Sequence, residues 1–203
     1  MNTVKLAILS TAIILSTGCS TVATKNIDMN NDKEVAVKGL SSIDFKNVAN
    51  KMVDSMIRSG AISKPGGGRY VMVIGDIVND TMQRFDTDQL IKKIRVALTQ
   101  TGKVSVTMAL GASGAEDKML MKQRQLRGHK EFDQRGVAAE GQMKVYDLSL
   151  SGKIRQSNIR ISRSEERIEY YIWLTLSDPI SGLSFWEGEE VIGKVASSDS
   201  VSW

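Results

Sequence analysis

The chain has 203 residues, with 27 Lys and Arg against 23 Asp and Glu, a single His and a single Cys. One cysteine excludes an internal disulfide, and one histidine excludes a metal centre built on several imidazoles. The mild positive charge makes no case for nucleic acid, so a hydrophobic core must hold the fold unaided.

The first element is a leader. Lys5 and the apolar run LAILSTAIILST (Leu6 to Thr17) have the form of a secretory signal, and the run is too short to anchor across a bilayer. Ser16, Thr17 and Gly18 supply the small residues of a cleavage site directly before Cys19. The order Leu-Ser-Thr-Gly-Cys resembles a bacterial lipobox, which implies cleavage before Cys19 and lipidation of its thiol and of the new N-terminus. An unpaired exposed thiol is unusual in an oxidising compartment, which supports the same reading. Ser20, where an aspartate would signal retention, implies sorting to the outer membrane. Loss of Lys5 leaves 26 bases against 23 acids. The expected organisation is a signal peptide over 1–18, a lipidated cysteine and flexible tether over 19–43, and one globular domain over 44–203.

Residues 20–41 are small and polar with no sustained apolar period, the composition of a tether. From Cys19 to Asp44 it reaches at most about 85 Å extended and roughly 28 Å as a coil. The stretch IDFKNVANKMVDSMIRSG then places Phe45, Val48, Met52 and Met56 on one helical stripe, with Ser42 or Asp44 as cap and Gly60 as stop. YVMVIGDIV (Tyr70 to Val78) is a nearly continuous apolar run, the pattern of a strand covered on both faces. Asp86 or Thr87 caps a second helix, on which Leu90, Ile91, Ile94, Ala97 and Leu98 recur at three and four before Gly102. KVSVTMAL predicts a short strand. AEDKMLMKQRQLRG and HKEFDQRGVAAEG predict helical segments broken near Gly128.

The last third changes period from 3.6 to 2. VYDLSLSGKI, RIEYYIWLTLSD and LSFWEGEEVIGKV predict three strands, the last two joined by DPISG, and Trp173 and Trp186 are expected in or near the core. The whole predicts a single α+β domain, a mixed and largely antiparallel sheet flanked by helices.

Enzyme constellations are missing. His129 lies between Arg127 and Lys130, where positive neighbours disfavour a base. No Ser-x-x-Lys, Gly-x-Ser-x-Gly or phosphate-binding Gly-x-x-x-x-Gly-Lys-Ser/Thr occurs, and the adjacent carboxylates Glu165/Glu166 and Glu189/Glu190 fall on opposite faces of a strand. No cofactor, metal or small-molecule substrate is expected, and no catalytic residue. Two basic segments remain. Lys118, Lys122, Arg124, Arg127 and Lys130 suit the solvated face of a helix. RQSNIRISRSEER is longer than a hairpin requires and is expected as a loop, on which Arg155, Arg160 and Arg163 are candidates for binding an acidic partner face.

VIGDIVNDTMQRFDTDQLIKKIRVALTQTGKVSV, VYDLSLSGKI and LTLSDPISGLSFWEGEE together resemble the LpoB family of outer-membrane lipoproteins, over most of residues 44–195. The resemblance implies a non-enzymatic activator: a tethered domain that docks on a bifunctional penicillin-binding protein and stimulates its glycan-polymerising and crosslinking activities in peptidoglycan synthesis. A scaffold, assembly or secretion lipoprotein with a nearby outer-membrane partner is the alternative. An enzyme of peptidoglycan is a third reading, because glycan hydrolysis can use carboxylates distant in sequence.

Overall fold

A computed structural model describes residues 26–29, 31, 37–110 and 117–197. Its strands form one five-stranded mixed sheet in the order β2-β1-β3-β4-β5. These are β1 (Tyr70–Asp80), β2 (Val104–Val106), β3 (Leu148–Arg160), β4 (Glu165–Ser177) and β5 (Ser184–Ser197). β1 runs parallel to β2 and β3, while β3, β4 and β5 make an antiparallel meander. The α+β single domain expected from the change of period is the observed class.

Helix α1 (Ser42–Arg58) starts one residue earlier than its sequence suggested. Ser41 is the cap: its hydroxyl accepts from the Asp44 N–H at 3.4 Å, and the Asp44 carboxylate accepts from the Ser41 N–H at 2.7 Å. Asp44 is thus the far half of a capping box. Gly60, at φ 76°, ends the helical path as expected. Helix α2 (Asp88–Gln100) buries Leu90, Ile91, Ile94 and Leu98. These side chains and Phe45, Val48, Met52 and Met56 pack on the sheet residues Met72, Ile74, Ile77, Leu150, Ile172 and Leu174. Trp186 joins this core as expected, its indole N–H donating to the Ser55 hydroxyl at 3.2 Å. It lies over Gly188, where an added Cβ would meet the indole at 2.4 Å.

Chain entry is also packed. The Lys38 ammonium pairs with Glu166, and the buried Tyr170 hydroxyl donates to the Lys38 carbonyl at 3.4 Å. Burial pushes the Tyr170 phenol up to about 12. A Cβ on Gly39 would come within 2.5 Å of the Gln83 side-chain oxygen, so the backbone lies directly against that buried amide.

Several expectations need correction. β1 is fully buried on one face only: a bulge sets Gly75 and Asp76 opposite Ser151, which turns both Ile74 and Ile77 toward the helices. Val71 and Val73 face the other way and stay half-exposed, and Val78 is exposed. The expected pair of helices over 115–141 reduces to α3 (Lys118–Gln125) and one 3-10 turn, Gln134–Gly136. Neither buries a residue, so nothing beyond local bonds extends them. Beyond Gly128 the Gln134 amide instead bonds the Leu126, His129 and Phe132 carbonyls.

The expected loop at RQSNIRISRSEER is two strands. β3 and β4 pair residue by residue from Ser149↔Ser177 to Arg160↔Glu166, leaving residues 161–164 to turn the chain. Trp173 is not a core residue: it lies on the face opposite Ile172 and Leu174 and is half-exposed.

Candidate interaction face

Both long helices lie on one side of the sheet. The other side of β3, β4 and β5 carries the odd-numbered residues, and the strand register lines them up in rows. One row runs Glu189, Trp173, Lys153; the next runs Val191, Tyr171, Arg155, Asp80. The Trp173 indole N–H donates to the Glu189 carboxylate across β4 and β5. The Tyr171 hydroxyl donates to Glu169 at 2.6 Å, and Glu169 also pairs with Arg167 at 2.9 Å. The phenol is shifted upward, first by its bond to Glu169. Lys153 pairs with Asp80 at 2.6 Å and holds that carboxyl below its ordinary range.

The two aromatic rings lie 6.5 Å apart, inclined at 41°. Their edges are fixed by bonds to Glu189 and Glu169, so they present contact area that loses little rotamer freedom on binding. Around them the charge is divided: Lys153 and Arg155 on the β3 side, Glu187 and Glu189 on β5. Trp, Tyr and Arg are the residue types that dominate protein–protein binding energies, and here all three types meet on adjacent rows.

The three candidate arginines do not share this face. Arg155 is exposed at its centre, opposite Tyr171. Arg160 is five residues on and therefore on the reverse side; its Nε donates to the Ser162 carbonyl at 3.1 Å. Arg163 lies in the turn. Arg160 and Arg163 are thus placed at the hairpin tip and Arg155 in the sheet. In the other basic segment two arginines are engaged in local structure, Arg124 donating to the Leu120 carbonyl at 2.8 Å and Arg127 to the Ala138 and Ala139 carbonyls at 2.7 and 2.9 Å. His129 is exposed, edge-on to Phe132. Cys19 lies outside the described residues. Among the described residues no three His, Cys, Asp or Glu side chains are grouped to hold a metal ion.

Sequence reasoning missed Tyr171 and Trp173, although the signal was present. In RIEYYIWLTLS the aliphatic residues Ile168, Ile172, Leu174 and Leu176 are all even-numbered, which assigns Trp173 to the other face.

Comparison with known proteins gives one family. The sequence model for "Peptidoglycan-synthase activator LpoB" matches residues 44–192. No curated protein sequence matches the chain. Among solved structures, the LpoB C-terminal domain from Salmonella enterica is similar at 15% identity and TM-score 0.44, over 73% of this chain and 98% of that one. The corresponding Escherichia coli domain is similar at 13% identity and TM-score 0.44, over 74% and 99%. Lipoprotein GNA1162 from Neisseria meningitidis is similar at 10% identity and TM-score 0.38, over 66% and 87%.

Proposed function

The chain belongs to the LpoB family of peptidoglycan-synthase activators, and from that premise we propose that it is an outer-membrane lipoprotein, anchored by lipid at Cys19, that docks on a bifunctional penicillin-binding protein and stimulates it. The observation that carries the reading is the family match over residues 44–192. In this reading the chain regulates another protein's reaction and carries no catalytic step, cofactor, nucleic acid or small-molecule substrate of its own.

The docking surface in this reading is the face of β3, β4 and β5 that the two long helices leave open. Tyr171, Trp173 and Arg155 form its centre, and Arg160 and Arg163 at the hairpin tip steer an acidic partner surface. The domain organisation in this reading is a signal peptide over 1–18, a lipidated tether from Cys19 that ends at the packed Lys38, and the docking domain from there on.

Tether length favours a second reading as well. Because Lys38 is already packed against Glu166 and Tyr170, the chain from Cys19 to Lys38 spans at most about 65 Å even when fully extended. A partner must therefore stand tall in the periplasm, or else lie near the outer membrane as for a scaffold or assembly lipoprotein. Capture from crosslinked envelopes decides between them. A bifunctional penicillin-binding protein bound to the full lipoprotein supports the activator; an outer-membrane assembly component in its place supports the scaffold. Intact mass of the mature chain tests the anchor, and an unlipidated product beginning elsewhere than Cys19 contradicts it.

A further inference from the structure

The two edges of the sheet are built differently. β2 closes one with three residues, and a very short strand is one way proteins keep an edge from recruiting another chain. β5 closes the other with fourteen, longer than most strands. It pairs only with β4, and among the described residues no strand meets its outer row of N–H and C=O groups. Charges stand along it, with Glu190 and Lys194 on the helix side paired to Lys51 and Asp44, but two common safeguards, a proline and a bulge within the paired stretch, are missing. Residues 184–197 contain no proline, and the register with β4 runs unbroken from Glu165↔Ser197 to Leu176↔Trp186. Val191 and Val195 are 47% and 64% exposed.

This edge is complementary to itself. Residues 191–195 read Val-Ile-Gly-Lys-Val. In an antiparallel pair with a two-fold axis at Gly193, Val191 lies opposite Val195 of a second copy, and Val195 opposite its Val191. Both pairs fall on the side that the long helices leave open, the arrangement favoured for β-branched side chains. Ile192 then meets Lys194, Glu190 meets Ala196 and Glu189 meets Ser197, with no like charges opposed. An axis at Lys194 or Glu190 would oppose two lysines or two glutamates, and one at Ile192 would set Val191 against Gly193. A Cβ on Gly193 would meet nothing within 4 Å, and a glycine within a strand suits a close approach of another backbone.

We propose that β5 pairs antiparallel with β5 of a second copy of this chain, about Gly193, to give a continuous ten-stranded sheet. The inference is independent of the activator reading. Its consequence is that the two open faces point the same way, so a partner with two sites, or two partners side by side, binds with raised effective concentration.

Cysteine pairing on the full lipoprotein tests it, with the unaltered chain giving the background from Cys19. Residues opposed across an antiparallel pair have Cα atoms about 4.5–5.5 Å apart, inside the disulfide range of about 4.4–6.8 Å. Gly193→Cys should therefore oxidise to a dimer, and so should the double change Val191→Cys with Val195→Cys. Val191→Cys alone should stay at background, because its own copy is four residues away, roughly 13 Å. Equal dimer from Val191→Cys and Gly193→Cys would mean random collision and overturn the proposal. A crosslink to a different protein would assign the edge to that protein and overturn it as well. Sedimentation of the unaltered chain in detergent should give a dimer mass that Gly193→Pro halves; a monomer at every concentration contradicts the pairing without reference to any variant.

Discussion

Trp173 on β4 and Glu189 on β5 are joined through the indole N–H on the side of the sheet that no long helix covers. The bond spans two strands and fixes a large aromatic side chain in a half-exposed position. Trp173→Ala should leave the domain folded, at a cost of about 1 kcal/mol, while weakening partner binding by about 2 kcal/mol or more. Glu189→Gln, which keeps an acceptor, should bind more tightly than Glu189→Ala. Calorimetric titration against the partner, with thermal unfolding as the control, checks both. Binding by Trp173→Ala equal to that of the unaltered chain would remove this face from the interface.

Arg155, Arg160 and Arg163 are spread over the sheet face and the hairpin tip, so each should contribute only about 0.2–1 kcal/mol. Their combined replacement by Ala should slow association and flatten its dependence on ionic strength, with little change in dissociation. Stopped-flow association at two salt concentrations reads this directly. An unchanged rate and salt slope would leave the hairpin without a steering role.

Leu90 and Ile94 are fully buried between α2 and the sheet. Leu90→Ala or Ile94→Ala should each cost about 2–5 kcal/mol through the cavity left behind. Urea denaturation measures it, and an unmoved midpoint for both variants would contradict the packing described.

Two carboxyls tie fold stability to pH. Lys38 holds Glu166 below its ordinary value of 4.5, chiefly through their hydrogen bond. The Val71 N–H, then Lys64, hold Asp147 below 3.8. A carboxyl depressed in the folded state contributes stability that is complete above its unfolded value and is lost as pH falls through its folded one. Stability should therefore hold from neutrality down to about pH 5 and decline below. Glu166→Gln should be less stable than the unaltered chain at neutral pH, with the gap closing as pH falls under 4.5. A gap that is constant with pH would show that the ion pair is not its cause.

Helix periodicity made the core stripe of α2 legible, because Leu90, Ile91, Ile94 and Leu98 repeat at 3.6 and little else competes for that pattern. The α1 stripe was legible for the same reason, and its cap was displaced by one residue because Ser41 and Ser42 are equally good cap residues. The strands were harder. The bulge at Gly75 and Asp76 breaks the alternation of β1, so a strand fully buried on one face only reads as a continuous apolar run. At Asn158, Ile159 and Arg160 the β3 strand is exposed on successive residues; with neither side buried, no apolar alternation marks it and the charges suggest a loop. Trp173 was within reach of simple parity counting. The pairing capacity of β5 was not, since only the sheet order places it at an edge.

The central claim is activation, and the rate of glycan polymerisation by the bifunctional penicillin-binding protein of the chain's own organism tests it most directly. Measured with and without the full lipoprotein in detergent, the rate should rise on its addition, and the rise should be largely lost with the double change Tyr171→Ala and Trp173→Ala. A polymerisation rate that the unaltered lipoprotein leaves unchanged at saturating concentration would contradict the account.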